Sequence, residues 1–127
     1  EFRRVLFRSD HMARPTLPEG VAHPSYRIVR GLLDRGRTWV KLSGAYSNSR
    51  VGPPYPEATS IAQAFVKATP ERMVWGSDWP HPSEASDHKP NDAVLFDLLS
   101  EWVPTEATRH RILVENPATL YGFGQSA

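Results

Sequence analysis

Three stretches of about twelve residues, Met12 to His23, Ala45 to Tyr55 and Trp79 to Pro90, follow short apolar segments that read as strands. The returns from helix to strand, around Gly36 and Pro70, are tight. Strand-to-helix connections ordinarily take about 2 to 6 residues, so loops of this length are more than connection requires. A strand, helix, strand, helix order with all the length on one side predicts an α/β fold: a parallel sheet wrapped by helices, with its chemistry at the strands' C-terminal ends.

The elements themselves are legible from periodicity. "PSYRIVRGLLDRG" places Ile28, Val29, Leu32 and Leu33 at helical spacing, with Pro24 at the start and Gly36 past the end. "TWVKLSG" reads as a strand over Thr38 to Ser43, closed by Gly44. "PEATSIAQAFVKATP" reads as a helix with Pro56 in its first turn, Ile61, Phe65 and Ala68 on one side, and Pro70 as its stop. The strand "RMVWGSD" follows, then a helix from about Asp92 to Trp102, capped by Asn91, with Val94, Leu95, Leu98, Leu99 and Trp102 inward. A last helix begins near Thr105 and shows Ile112, Leu113 and Val114 before Asn116 and Pro117, and "NPATLYGF" is expected to add a short closing turn. The 12 prolines fall between these segments, which argues for punctuation rather than disorder.

The opening "EFRRVLFRS" is set apart from this pattern. Its codons can spell a common sequencing-library adapter, so residues 1–9 are expected to be a remnant of DNA handling and the protein proper to run from Asp10 to Ala127. The formal net charge is only +1, and Arg3, Arg4 and Arg8 account for the surplus. No basic face is left to suggest nucleic acid. The chain has no cysteine, which removes disulfides, thiolate catalysis and cysteine metal sites. No apolar run approaches the roughly 20 residues of a membrane span. A cytoplasmic protein acting on a small molecule, with no nucleic acid or membrane partner, is the expectation.

Ionisable groups stand at each predicted strand end, in "DHM", "KLSG" and "GSDWPHP". In a barrel, neighbouring parallel strands bring such groups around one mouth, so His11 and Asp78 are expected to face each other there. An Asp in that place either takes a proton from an attacking water or caps the turn before Trp79 and Pro80. His11 is either a site group or a structural histidine; Asp10 points the other way along the strand and is expected to be a partner behind the site.

"DHMARP", "WVKLSGAYSNSR", "GPPY", "RMVWGSDWPHP" and "ILVENPATLYGF", in this order, resemble the C-terminal part of the amidohydrolase-related TIM-barrel family, which includes 2-pyrone-4,6-dicarboxylate lactonases and aminocarboxymuconate-type decarboxylases. The resemblance implies that residues 10–127 form about strands 6 to 8 of a (β/α)8 barrel. Those strands would end at His11, Ser43 and Asp78, and the family's amino-terminal His-x-His pair would lie outside this sequence. It implies a hydrolase acting on a lactone or related carbonyl, with Asp78 as general base on a water, free or metal-bound, and His11 polarising the carbonyl. A divalent metal such as zinc, held in part by Asp78 and His11, or no metal at all, fits this resemblance. Two rivals stand beside it: a non-oxidative decarboxylase on the same scaffold, and a truncated chain with no activity of its own.

Substrate contacts divide by chemistry. Arg50 and Arg14 are candidate anion contacts or else solvated arginines. Ser47 stands where lactonase-like members carry an arginine, so Tyr46 and Asn48 are candidates to hydrogen-bond a neutral ring or hydroxyl, as in a sugar lactone. Trp79 either stacks on a planar substrate or stiffens its loop. His81 either lines the pocket or holds the loop through backbone bonds. His88 lies where it can reach the entrance, and His23 and His110 read as surface or helix-end residues.

Overall fold

The computed structural model describes residues 7–124. Most of the opening nonapeptide, residues 1–6, lies outside them, and Phe7–Ser9 forms the first strand.

Three parallel strands, β1 (Phe7–Ser9), β2 (Thr38–Leu42) and β3 (Met73–Trp75), lie side by side in chain order. Ser9 pairs with Val40 and Val40 with Met73, while Leu42 pairs with Trp75. Parallel neighbours need a crossover, and α1 (Pro24–Asp34) and α2 (Pro56–Ala68) supply it. Alternation along β2 sends Val40 and Leu42 to the helix side, where they meet Leu33, Ala58, Ile61, Ala62 and Phe65 in the core. Trp39 and Lys41 take the other face, the one that lines a barrel's interior, and the Arg72 guanidinium lies 5.1 Å over the Trp39 ring. The architecture is a partial TIM barrel, three parallel strands with their helices.

Helix starts and stops follow local chemistry. His23 caps α1 by accepting from the Ser25 N–H at 3.1 Å, with Pro24 in the first turn. Only Leu33 of the four residues expected inward is fully buried on α1. Ile28 is 65 % exposed and Leu32 borders an open groove with Phe7, Val29 and Thr38. Among the described residues β1 is the sheet's edge, so the outer half of the α1 stripe has nothing packed on it.

The helix α3 (Asp92–Trp102) starts as expected, with Asn91 Oδ1 accepting from the Ala93 and Val94 N–H groups. It buries Leu95, Leu98, Leu99 and Trp102, and the Trp102 indole donates to Thr59 Oγ1 at 3.0 Å, tying α3 to α2. Val94, expected inward, sits in the first turn off this stripe and is largely exposed.

The chain's end departs further from expectation. After α4 (Glu106–His110) the helix continues through a wide π turn, Arg111–Glu115, into α5 (Asn116–Tyr121), where a closing turn was expected. The π turn shifts the helical phase, so Ile112 and Asn116 point inward while Leu113 and Val114 face solvent. Asn116 donates to the carbonyls of Pro70 and Met73 at 2.7 and 2.8 Å, clamping the N-terminal end of β3. No helix among the described residues is long and apolar enough to cross a membrane.

Candidate active site

Each strand is left through a residue in the left-handed region: His11 (φ 50) after β1, Gly44 (φ 62) after β2 and Asp78 (φ 62) after β3. In the first loop His11, Met12, Ala13 and Arg14 all have positive φ, between 45 and 60. Such backbone costs an L-residue about 1–2 kcal/mol each and persists only where surroundings hold it. Here the hold is visible. Met12 is fully buried, and the buried Asn48 amide donates to the carbonyls of His11 and Gly44, both at 2.9 Å. Gly44 itself admits no side chain, because a Cβ there would stand 2.8 Å from His11 Nδ1.

These departures aim the side chains at one spot on the rim. His11 Nε2 lies 3.6 Å from Asp78 Oδ1, and both side chains are mostly buried. Ser43 Oγ accepts from the His11 backbone N–H at 3.3 Å and stands 2.9 Å from His11 Nδ1. The Asp78 carboxylate only accepts, so the tautomer with its proton on Nε2 suits the side that faces the site, and Nδ1 then accepts from the Ser43 hydroxyl. The other Asp78 oxygen, Oδ2, accepts from the Tyr46 hydroxyl. Tyr46 OH is also 3.2 Å from His81 Nδ1, and His81 Nε2 is 2.9 Å from Asp92 Oδ1. Burial raises the Tyr46 phenol's pKa far above its ordinary value, and the bond to Asp78 and its charge push the same way. The phenol is thus held as a proton-bearing donor.

The expected site residues separate accordingly. His11, Asp78, Tyr46 and His81 come together. Asn48 spends its amide beneath the site on two backbone carbonyls. Arg50 turns to Glu57, 2.7 Å from its carboxylate, and is mostly exposed. Trp79 is 73 % exposed at the lip of the loop. The ring of His81 bonds Tyr46 and Asp92 rather than backbone, while its own carbonyl accepts from Lys89 Nζ at 2.6 Å. His88 faces Asp87 on the surface, His110 stands near Glu115, and His23 caps α1. Asp10 pairs with Lys41 at 3.1 Å and with Arg8 at 3.3 Å.

Sequence reasoning passed over three participants. Ser43 orients His11; Asp92, which reads as an ordinary first-turn acid, anchors His81; Lys89 bridges the carbonyls of His81 and Glu84. The only local signal was the acid after a cap residue in "KPNDA".

A catalytic zinc takes three protein ligands. Among the described residues no group of three or more His, Asp or Glu side chains is placed to hold an ion, and one Asp78 oxygen already accepts from Tyr46. His11 and Asp78 offer two such donors, one short of that number.

The site at the strands' C-terminal rim, and the barrel that carries it, agree with a family match. The amidohydrolase family model matches residues 1–123. The chain belongs to the amidohydrolase family. This amidohydrolase chain is 39 % identical over 114 residues to 4-sulfomuconolactone hydrolase of Rhizobium radiobacter, covering 89 % of this chain and 38 % of that protein. It is 41 % identical over 99 residues to D-galactarolactone isomerase of Agrobacterium fabrum, covering 77 % of this chain and 34 % of the relative. The apo crystal structure of an Agrobacterium tumefaciens protein superposes with a TM-score of 0.78 at 36 % identity, over 94 % of this chain and 42 % of that one. The amidohydrolase chain thus spans well under half the length of these relatives.

Proposed function

We propose that this chain carries the carboxyl-side part of the active site of a lactone hydrolase. The observation that carries the reading is the approach of His11 Nε2 to Asp78 Oδ1, 3.6 Å apart at the ends of β1 and β3. A lactone carbonyl oxygen set against the His11 Nε2–H gains a hydrogen bond that strengthens as negative charge develops on it. A water beside Asp78 Oδ1 loses its proton to the carboxylate as its oxygen bonds the carbonyl carbon. When the ring C–O bond breaks, Asp78 returns that proton to the leaving alkoxide. Tyr46 keeps Oδ2 occupied, which leaves Oδ1 as the working oxygen.

The name of the Rhizobium relative, a lactone hydrolase, supports this chemistry. The isomerase relative supports a second reading on the same residues, in which Asp78 takes the proton of the substrate's own hydroxyl instead of water's.

A pH-stat assay with aldonolactones tests the proposal, on this chain alone and joined behind the amino-terminal part of the isomerase relative. Hydrolysis releases one proton per ring opened, isomerisation releases none, and decarboxylation would appear as carbon dioxide. Proton release that is lost in Asp78→Asn and sharply reduced in His11→Ala is the expected result. An Asp78→Asn variant hydrolysing at the parent rate would refute the base assignment.

A further inference from the structure

The Tyr46 hydroxyl has one proton and two acceptors in reach. Asp78 Oδ2 takes it, and His81 Nδ1 stands on the other side of the phenol oxygen at 3.2 Å. His81 is unusual for a polar ring in a loop: it is only 2 % exposed, and its ring meets that of Tyr46 edge-on at 5.5 Å and 89°. Its far nitrogen faces Asp92 Oδ1 at 2.9 Å. A carboxylate only accepts, so Nε2 carries the ring's proton and Nδ1 is left as a bare acceptor aimed at the phenol. Lys89, bonded to the His81 carbonyl, holds the backbone at that position.

We propose that His81 is a positioning residue that acts through Tyr46, giving its hydroxyl a second acceptor for the part of the cycle in which Asp78 carries a proton. In the resting site the phenol donates to ionised Asp78. Once Asp78 has taken water's proton, its neutral carboxyl is a poorer acceptor. The hydroxyl then turns about its C–O bond to His81 Nδ1, with no heavy atom moving, and turns back when Asp78 gives up the proton. The ring stays seated in both states because Asp92 holds its other nitrogen. This inference rests on Asp78 as the general base.

Side-chain NMR on the full chain tests it, with two substitutions that divide the imidazole's functions. His81→Asn keeps a polar atom near the Nδ1 position and gives up the reach to Asp92. His81→Gln keeps the reach to Asp92 and gives up Nδ1. The expected result is that His81→Gln shifts the Asp78 carboxyl 13C resonance away from its position in Tyr46→Phe, because the phenol is left with Asp78 as its acceptor, while His81→Asn leaves it near the parent position. The reverse pattern, or no shift in either, would overturn the proposal in favour of a histidine that merely packs the loop. Should His81→Gln lose the folded amide spectrum, Tyr46→Phe carries the test. Its His81 Nδ1 resonance must move when the phenol oxygen is removed, and an unmoved Nδ1 overturns the proposal. None of these readings needs turnover. A chain that shows the shifts but opens no lactone refutes the proposed reaction and leaves the Tyr46–His81 coupling standing.

Discussion

Replacing Gly44 by alanine adds a single methyl group at the point where the second loop passes under His11. Two costs follow from the structure. The backbone there has φ 62, where an alanine costs about 1–2 kcal/mol relative to glycine. The new Cβ would stand 2.8 Å from Nδ1 and 3.0 Å from Cγ of His11, so the ring must move and its bond to Ser43 is lost, at about 1 kcal/mol more. The sum is about 2–3 kcal/mol. With a urea dependence of about 2 kcal/mol per molar, typical for a small domain, the unfolding midpoint should fall by about 1–1.5 M. Gly76 supplies the control: a Cβ there meets Lys41 Cδ at 3.0 Å, the middle of a flexible side chain, and its backbone is not left-handed. Gly76→Ala should cost under about 1 kcal/mol. Urea unfolding followed by tryptophan fluorescence reads both. A Gly44→Ala midpoint within about 0.3 M of the parent would show that neither the left-handed backbone nor the packing against His11 is as the structure has it.

Other expectations are independent of that one. Gly31 lies within α1 with nothing inside 4 Å of a Cβ, so Gly31→Ala should stabilise by about 0.5–1 kcal/mol in the same assay. Tyr46→Phe removes a donor to a carboxylate, worth about 1.5–3 kcal/mol, and should lower kcat for lactone opening roughly 10- to 100-fold with little change in KM. Burial works against the charged form of Asp10, but the hydrogen bond and charge of Lys41, with Arg8, outweigh it and hold the carboxyl below its ordinary value of 3.8. A lowered folded-state pKa gives stability that is present above that ordinary value and lost as pH falls through the folded one. Lys41→Met should therefore destabilise by up to about 1 kcal/mol at neutral pH, and the difference from the parent should fade as unfolding is followed downward from about pH 4.

The His11–Asp78 half of the site was accessible to sequence reasoning because its logic is topological. Residues at the C-terminal ends of parallel strands share one rim, so His11 and Asp78 could be paired before any coordinates; their 3.6 Å approach across the intervening β2 is a matter of the folded loops. Tyr46 was found for a different reason than the one that places it: it was expected to face substrate and instead bonds Asp78 and His81. Arg50 failed to reach the site because Glu57, in the first turn of α2, offers it a closer carboxylate.

What the sequence determined by itself is the set of elements and their order. Apolar spacing, the Pro24 and Pro56 starts and the Asn91 cap are local signals, each read within a few residues of where they act. They are enough to place the α2 and α3 helices and to put the long loops at one rim. Tertiary structure decided the rest. The left-handed backbone at His11, Met12, Ala13, Arg14 and Asp78 is unfavourable for those residues and exists because Met12, Asn48 and Gly44 hold it in place, so no propensity announces it. Asn116, buried just after the π turn while Val114 within it is exposed, bonds carbonyls at the start of β3, far away in the chain. Likewise Asp92 reads locally as a helix-start acid, and only the folded chain brings His81 to it. Hydrogen-bond partners separated by dozens of residues are chosen by side-chain direction, and that direction is set by packing rather than by any pattern along the chain.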